Sequence, residues 1–98
     1  MNQKKPRGVP WCTGPDPKLH RMYVQFGYNR VSARLRKQDW QMTWEQWRDI
    51  WLPNWDQRGR SADALCLVRI DFEGPWSVDN CELVTRREQG IRTRKYYQ

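Results

Sequence analysis

The sequence predicts an α+β fold in which a pair of tryptophan-rich N-terminal helices packs on a strand–turn–strand–helix unit. Three observations predict it. Two stretches in the first half, 17–37 and 44–52, repeat apolar residues at helical spacing behind a capping residue. Two short apolar runs in the second half, 65–70 and 82–84, flank a Gly-Pro turn. A capped, basic segment follows the second run and completes a unit over 65–96.

Length and composition indicate one domain with an aromatic core. The chain has 98 residues, of which only 38% are hydrophobic. Seven Trp, four Tyr and two Phe must therefore supply much of the buried surface. We expect residues 1–15, which are rich in Pro and Gly, to form an extended lead-in. Residues 16–98 are then the domain.

The charge balance favours a polyanionic partner. Eighteen Lys and Arg against eleven Asp and Glu give a net charge of +7. No long apolar span is present, so a membrane is not an expected partner. Without a secretory leader we expect a cytoplasmic protein with reduced thiols. Cys66 and Cys81 could face each other across the hairpin, although small buried core residues are the preferred interpretation.

The first helix should begin at Asp16, a capping residue, with Pro17 in the first helical position. Its apolar face consists of Leu19, Met22, Tyr23 and Phe26. Arg30, Arg34 and Lys37 share another face and have few acids nearby. That stripe is either a solvated helix surface or a set of phosphate contacts.

The second helix carries the tryptophan stripe. Thr43 and Gln46 form a capping-box pattern at its start, and Pro53 ends it. Trp44, Trp47 and Trp51 lie on one face at positions i, i+3 and i+7. Tryptophan can stack on nucleic-acid bases, but a stripe at helical spacing is more typical of a core.

Most of the remaining cations lie in a loop, 54–64, and in the last helix. In the loop, Arg58 and Arg60 flank a glycine and could contact phosphate. Thr85 and Glu88 form a capping box that starts the last helix, whose N-terminus itself favours phosphate. The cations of this helix are candidate nucleic-acid contacts: Arg86, Arg87, Arg92, Arg94 and Lys95.

A run of residues in the second half of the chain carries a resemblance to known proteins. The matching residues are Val68-Arg69-Ile70-Asp71, then Gly74, then the segment 76–85, and then 86–89. In this order they resemble the phage-encoded HNH, or His-Me finger, endonucleases, including those near AP2-type DNA-binding proteins. The resemblance extends over most of 16–95 and is most specific between 67 and 89.

The resemblance implies single-metal hydrolysis of a phosphodiester, with a histidine at the end of the first strand as the base. Here Arg69 occupies the base position, and Val68 occupies the position of an adjacent metal ligand. Arginine stays protonated and valine binds no metal. The only histidine, His20, lies on the first helix. Asn80, which in the family fixes the loop, is retained.

If the chain is active, the candidate catalytic residues are Arg69, Asp71 and Asn80. The metal, Mg²⁺ or Mn²⁺, would then be held by Asp71, with Glu88 or Asp79. No cofactor or metal is favoured otherwise. Structural roles remain open for the same residues, since Asp71 could bond turn amides and Glu88 could serve only as a cap.

We therefore expect a small phage-type HNH-like protein that binds nucleic acid and has lost most or all of its nuclease activity. Double-stranded DNA is favoured over RNA as the partner, and a phage-infected bacterium is the expected host. One alternative is an active metal-dependent nicking endonuclease. Another is an effector that inhibits a host protein machine, such as a CRISPR complex or a polymerase, by protein–protein contact.

Overall fold

The computed structural model describes residues 14 and 16–97 and confirms the α+β class. The order of elements is α1 (Pro17–Leu35), α2 (Trp44–Trp51), β1 (Leu65–Arg69), β2 (Cys81–Thr85) and α3 (Arg86–Tyr96). Apart from Gly14, the predicted lead-in over 1–15 lies outside the described residues. Within the described range, no helix is both long enough and apolar enough to cross a membrane.

Helix α1 ends two residues before the predicted limit of 37. Lys37 adopts a left-handed conformation with φ of 60°. The N–H of Gln38 bonds the carbonyl of Ala33 at 2.8 Å, and the N–H of Lys37 bonds that of Arg34 at 3.0 Å. These two bonds form a Schellman motif, which closes the helix. Lys37 therefore lies beyond the helix and does not continue a stripe of Arg30 and Arg34.

Helix α2 begins with the predicted capping box. Thr43 Oγ1 accepts the N–H of Gln46 at 3.2 Å, and Gln46 Oε1 accepts the N–H of Thr43 at 3.0 Å. Where a loop was predicted from residue 54, the chain instead continues as a 3₁₀ helix, Leu52–Gln57. Proline near the start of this turn is compatible with helical backbone, so Pro53 changes the helix type and does not end helical structure.

The core lies between the two N-terminal helices and one face of the hairpin. Its buried members are Met22, Phe26, Met42, Trp47, Trp51 and Cys81. Leu65, Leu67 and Leu83 pack against this cluster from the strands. Side chains alternate along a strand, so Cys66 and Val68 lie on the other face, beside α3. The tryptophan stripe is therefore core, as predicted.

The strands pair in antiparallel register, with Val68 opposite Glu82 and Arg69 opposite Cys81. Cys66 is opposite Val84, so the two thiols do not face each other across the hairpin. Both cysteines are buried and free, which confirms their interpretation as small core residues.

Helix α3 begins at Arg86, as predicted, but only half of its predicted capping box forms. Thr85 Oγ1 accepts the N–H of Glu88 at 3.1 Å. The carboxylate of Glu88 turns instead to Arg92, four residues along the helix, at 2.8 Å. This pairing neutralises part of the charge of Arg92.

Candidate nucleic-acid interface

Asn80 fixes the loop that joins the two strands. Its Oδ1 accepts the N–H of Asp71 at 2.9 Å, and its Nδ2 donates to the carbonyls of Asp71 and Pro75 at 3.0 and 2.8 Å. A Cβ added to Gly74 would lie only 2.8 Å from that Nδ2. Glycine is therefore required for the close approach of the Asn80 amide, and the amide holds the loop together.

Arg69, at the end of β1, is held against this loop. Its Nη1 donates to the carbonyl of Gly74 at 3.0 Å, and its guanidinium lies 5.3 Å from the centroid of the Trp76 ring. A guanidinium is a hydrogen-bond donor without an acceptor and is not suited to serve as a general base. Arg69 is therefore suited to binding an anion.

The metal that the resemblance implies does not fit the residues at this site. Val68 and Arg69 face Gln89 and Thr93 of α3 across a shared hollow, and none of the four is a good ligand for a hard cation. Among the described residues, no group of three or more His, Cys, Asp or Glu could hold a metal ion.

Two of the three carboxylates proposed as ligands, Asp71 and Glu88, are also engaged elsewhere. Asp71 Oδ1 accepts the N–H of Glu73 at 3.0 Å, which is the turn role left open by the sequence. Glu88 is paired with Arg92. His20 lies on the first turn of α1 and is not among the residues that line this hollow. No metal-dependent step can be derived from these positions.

The cysteines do not supply reactive thiolates. Burial raises the pKa of Cys81 to about 11 and also raises the pKa of Cys66, against the opposing effect of Arg86. Both thiols therefore stay protonated near neutral pH, and a protonated thiol is a poor nucleophile and metal ligand.

Two hollows lie along β1 and share Leu67, and together we call them the β1 groove. The first half surrounds Leu65–Leu67 and the second half surrounds Leu67–Arg69. Residues of α1 and α3 complete the first half, and residues of α3, of the hairpin loop and of the segment after α1 complete the second. The polar residues lining the first half are Gln25, Asn29, Arg58 and Arg86, and those lining the second are Arg36, Gln38, Arg69, Gln89 and Thr93.

The β1 groove contains four arginines, and no Asp or Glu is among the described residues that line it. Arg58 lies 5.0 Å from the centroid of the Trp55 ring, and Arg86 Nε donates to the carbonyl of Gly59. Burial and the neighbouring charge of Arg86 lower the pKa of Arg58. The fold thus holds two like charges close together without a carboxylate, a condition that an anion would relieve.

A second hollow, which we call the opposite cleft, is lined by Asp71, Glu82, Arg92, Lys95 and Tyr96 together with Ile70 and Phe72. Here the arginine is paired with carboxylates. Arg92 Nη1 lies 2.6 Å from Glu82, and Arg92 Nε lies 2.8 Å from Glu88. Hydrogen bonds to Glu88 and Glu82 raise the pKa of Arg92. Arg92 is therefore committed to the protein's own carboxylates.

The predicted cations of α3 and the loop thus separate into groups. Arg58 and Arg86 line the first half of the β1 groove, although they come from different segments. Arg87 forms a pair with Asp63 at 2.6 Å, and Lys95 lines the opposite cleft. The remaining exposed candidates, outside both hollows, are Arg34, Lys37, Arg60 and Arg94.

Two predicted features of the first and last helices differ in the structure. Arg30 turns inward, with its guanidinium 5.5 Å from the centroid of the Phe26 ring. The N-terminus of α3 is not open to phosphate, because the N–H groups of Arg86 and Arg87 bond the carbonyls of Ala64 and Ala62.

Several groove residues were missed by the sequence prediction: Gln25, Asn29, Arg36, Gln38, Gln89, Thr93 and Tyr97. A signal for some of them was present. Arg86, Gln89, Thr93 and Tyr97 are spaced i, i+3, i+7 and i+11, which places them on one face of α3. Counting charges alone overlooked this mostly uncharged face.

In comparisons with known proteins, the chain matches no family model, no curated protein and no solved structure.

Proposed function

We propose that this chain is a nucleic-acid-binding protein that holds a phosphate backbone in the β1 groove. The observation that carries the proposal is the lining of the groove, which has four arginines and no carboxylate among the described residues. Amide side chains between the arginines can donate further hydrogen bonds to phosphate oxygens. Phosphate contacts of this kind position a backbone without reading its sequence.

We also propose that the strand–turn–strand–helix unit is an HNH-like finger without a working catalytic tip. The resemblance in sequence, the loop held by Asn80 and the approach of Gly74 to that side chain support this interpretation. Arg69 would then contact a phosphate from the position where the family places its base. The proposal includes no cleavage step, because the residues present offer neither a base nor a set of metal ligands.

Fluorescence anisotropy with labelled DNA and RNA, at several salt concentrations, tests the binding proposal. Four phosphate contacts predict that affinity falls about 50- to 150-fold between about 50 and 200 mM salt. Arg58→Ala should weaken binding and reduce the slope of log affinity against log salt by about 1. Arg48→Ala is the matched control, because it removes the same charge from a different place. Arg48 lies on α2 and pairs with Asp49.

Two results would contradict the proposal. Affinity that hardly changes with salt, or no binding to any of these ligands, would favour the protein-partner function. Nicking of supercoiled plasmid with Mg²⁺ or Mn²⁺, abolished by Asp71→Ala, would show instead that the chain is an active endonuclease.

A further inference from the structure

An exposed aromatic cluster lies at the far end of the β1 groove. Phe72 from the hairpin loop and Tyr96 from the end of α3 have ring centroids 4.9 Å apart, and Tyr97 meets Tyr96 edge-on at 4.8 Å. Tyr97 leaves 75% of its surface exposed. We call these three residues the aromatic step.

The aromatic step adjoins the cations of the groove. Phe72 and Tyr97 line the same half of the groove as Arg36 and Arg69. Lys37 lies beside Tyr97 in the adjoining hollow. Proteins that bind single strands combine a positive groove along the backbone with aromatic rings on which bases stack. A duplex offers no such base, because its bases are already stacked on one another.

The length of the β1 groove is set by the length of β1. Arg58 is bridged to Leu65 at one end of β1, and Arg69 ends the strand at the other. Four steps along a strand span about 13 Å, at about 3.3 Å per residue. At the duplex spacing of about 3.4 Å per nucleotide along one strand this distance covers about four nucleotides, and a more extended single strand places fewer over it.

We propose that the β1 groove binds a single-stranded segment of nucleic acid, of which one unpaired base stacks on Tyr97 in the aromatic step. This inference rests on the proposed function and specifies its ligand. It differs from the duplex that the sequence led us to expect. Phosphate contacts and a stacked base do not distinguish ribose from deoxyribose, so single-stranded DNA and RNA share the required chemistry.

The test compares two single strands of equal charge and different base content, with a duplex as a third ligand. Anisotropy is measured with single strands of about eight nucleotides, within the usual range of site sizes, and with an abasic strand and a duplex of the same length. Wild-type protein should bind the single strand about tenfold more tightly than the abasic strand, at the lower end of the effect of one base–aromatic stack. The same measurements made with DNA and with RNA strands will show which sugar is preferred.

Variants of exposed tyrosines make the test specific. Tyr97→Ala should weaken binding of the single strand about tenfold and leave binding of the abasic strand unchanged. Tyr97→Phe keeps the ring and should retain full affinity. Tyr28→Ala is the matched control, because Tyr28 is 66% exposed on α1 and lines neither half of the groove.

Equal affinity for the normal and abasic strands would overturn this inference and leave the proposed function standing. Preference for the duplex, with no effect of Tyr97→Ala, would do the same. If wild-type protein binds none of these ligands, the proposed function itself fails.

Discussion

The β1 groove and the opposite cleft differ in whether their arginines are paired with carboxylates of the protein. In the groove, Arg58 and Arg86 lie close together and no carboxylate is among the described residues that line it. In the cleft, Arg92 lies between Glu82 and Glu88 and bonds both. A basic protein does not offer all of its charge to a partner. The difference shows that binding should depend on the arginines that the fold leaves unpaired, and much less on the net charge of +7.

The helical spacing of the side chains along α3 produces this difference between the groove and the cleft. Arg86, Gln89 and Thr93 project from the face that borders the groove. Glu88 and Arg92, four residues apart, lie on a neighbouring face and can pair with each other and with β2. One basic helix thus has a free face and a neutralised face.

The largest expected effect comes from reversing charge in the two regions. Arg36→Glu places a carboxylate in the groove beside a phosphate and should weaken binding by more than about 100-fold, since juxtaposed like charges cost several kcal/mol. Lys95→Glu makes the same change of charge in the opposite cleft and should weaken binding less than about tenfold. Anisotropy at one fixed salt concentration checks both variants. Equal losses would mean that net charge matters and the groove does not.

A smaller effect, on stability, is expected from a change in the loop between β1 and β2, which borders both regions. Gly74→Ala would push its Cβ against the Asn80 amide and should reduce the free energy of unfolding by about 1–3 kcal/mol, because the two bonds donated by Nδ2 contribute about 0.5–1.5 kcal/mol each. Gly27→Ala is the control, because nothing lies within 4 Å of its added Cβ inside α1. It should stabilise the protein by about 0.5–1 kcal/mol. Urea denaturation measures both, and a neutral Gly74→Ala would show that Asn80 does not hold the loop.

Lys37 lies at the rim beside Arg69 and adopts a left-handed conformation that lysine disfavours. Lys37→Gly should therefore raise the free energy of unfolding by about 1 kcal/mol. It should also weaken nucleic-acid binding by a few-fold, since a cation beside the groove is lost. Lys37→Asn separates the two effects, because asparagine tolerates the backbone and removes the same charge. A glycine variant that is less stable would contradict this interpretation of the helix end.

The smallest effect is expected from the paired cleft. Arg92→Met removes the charge but keeps much of the apolar stem, and both carboxylates that it leaves are partly exposed. Stability should fall by no more than about 1 kcal/mol, and the salt dependence of binding should not change. A lower salt slope in this variant would place Arg92 among the phosphate contacts and remove the contrast between the two regions.

Much of the fold was predictable because its signals are local. The starts of the three helices depend on hydrogen bonds between residues two or three apart, from Asp16, Thr43 and Thr85. The end of α1 was not predictable in this way. It depends on Lys37 accepting a conformation for which glycine is the usual signal.

The candidate site was predicted only in part, because its geometry comes from tertiary packing. Arg58 and Arg86 were both candidates, but their proximity depends on contacts such as that of Arg86 with Gly59, 27 residues away in sequence. Arg92 was counted as free because the sequence does not reveal that β2 brings Glu82 beside it. Arg36 was missed since it only becomes a groove residue when α1 packs against the hairpin.

The aromatic core has a consequence for recognition as well as for stability. Arg58 lies on the ring of Trp55, and Arg69 lies on the ring of Trp76. Successive ring contacts of 5.8–6.2 Å connect those two tryptophans through Trp47, Phe26 and Trp40. Rigid rings in contact act as a spacer that sets the distance between two anion-binding groups. If the β1 groove binds a polyanion as proposed, a substitution deep in this core would change the spacing at which Arg58 and Arg69 bind its charges, even if the chain still folds.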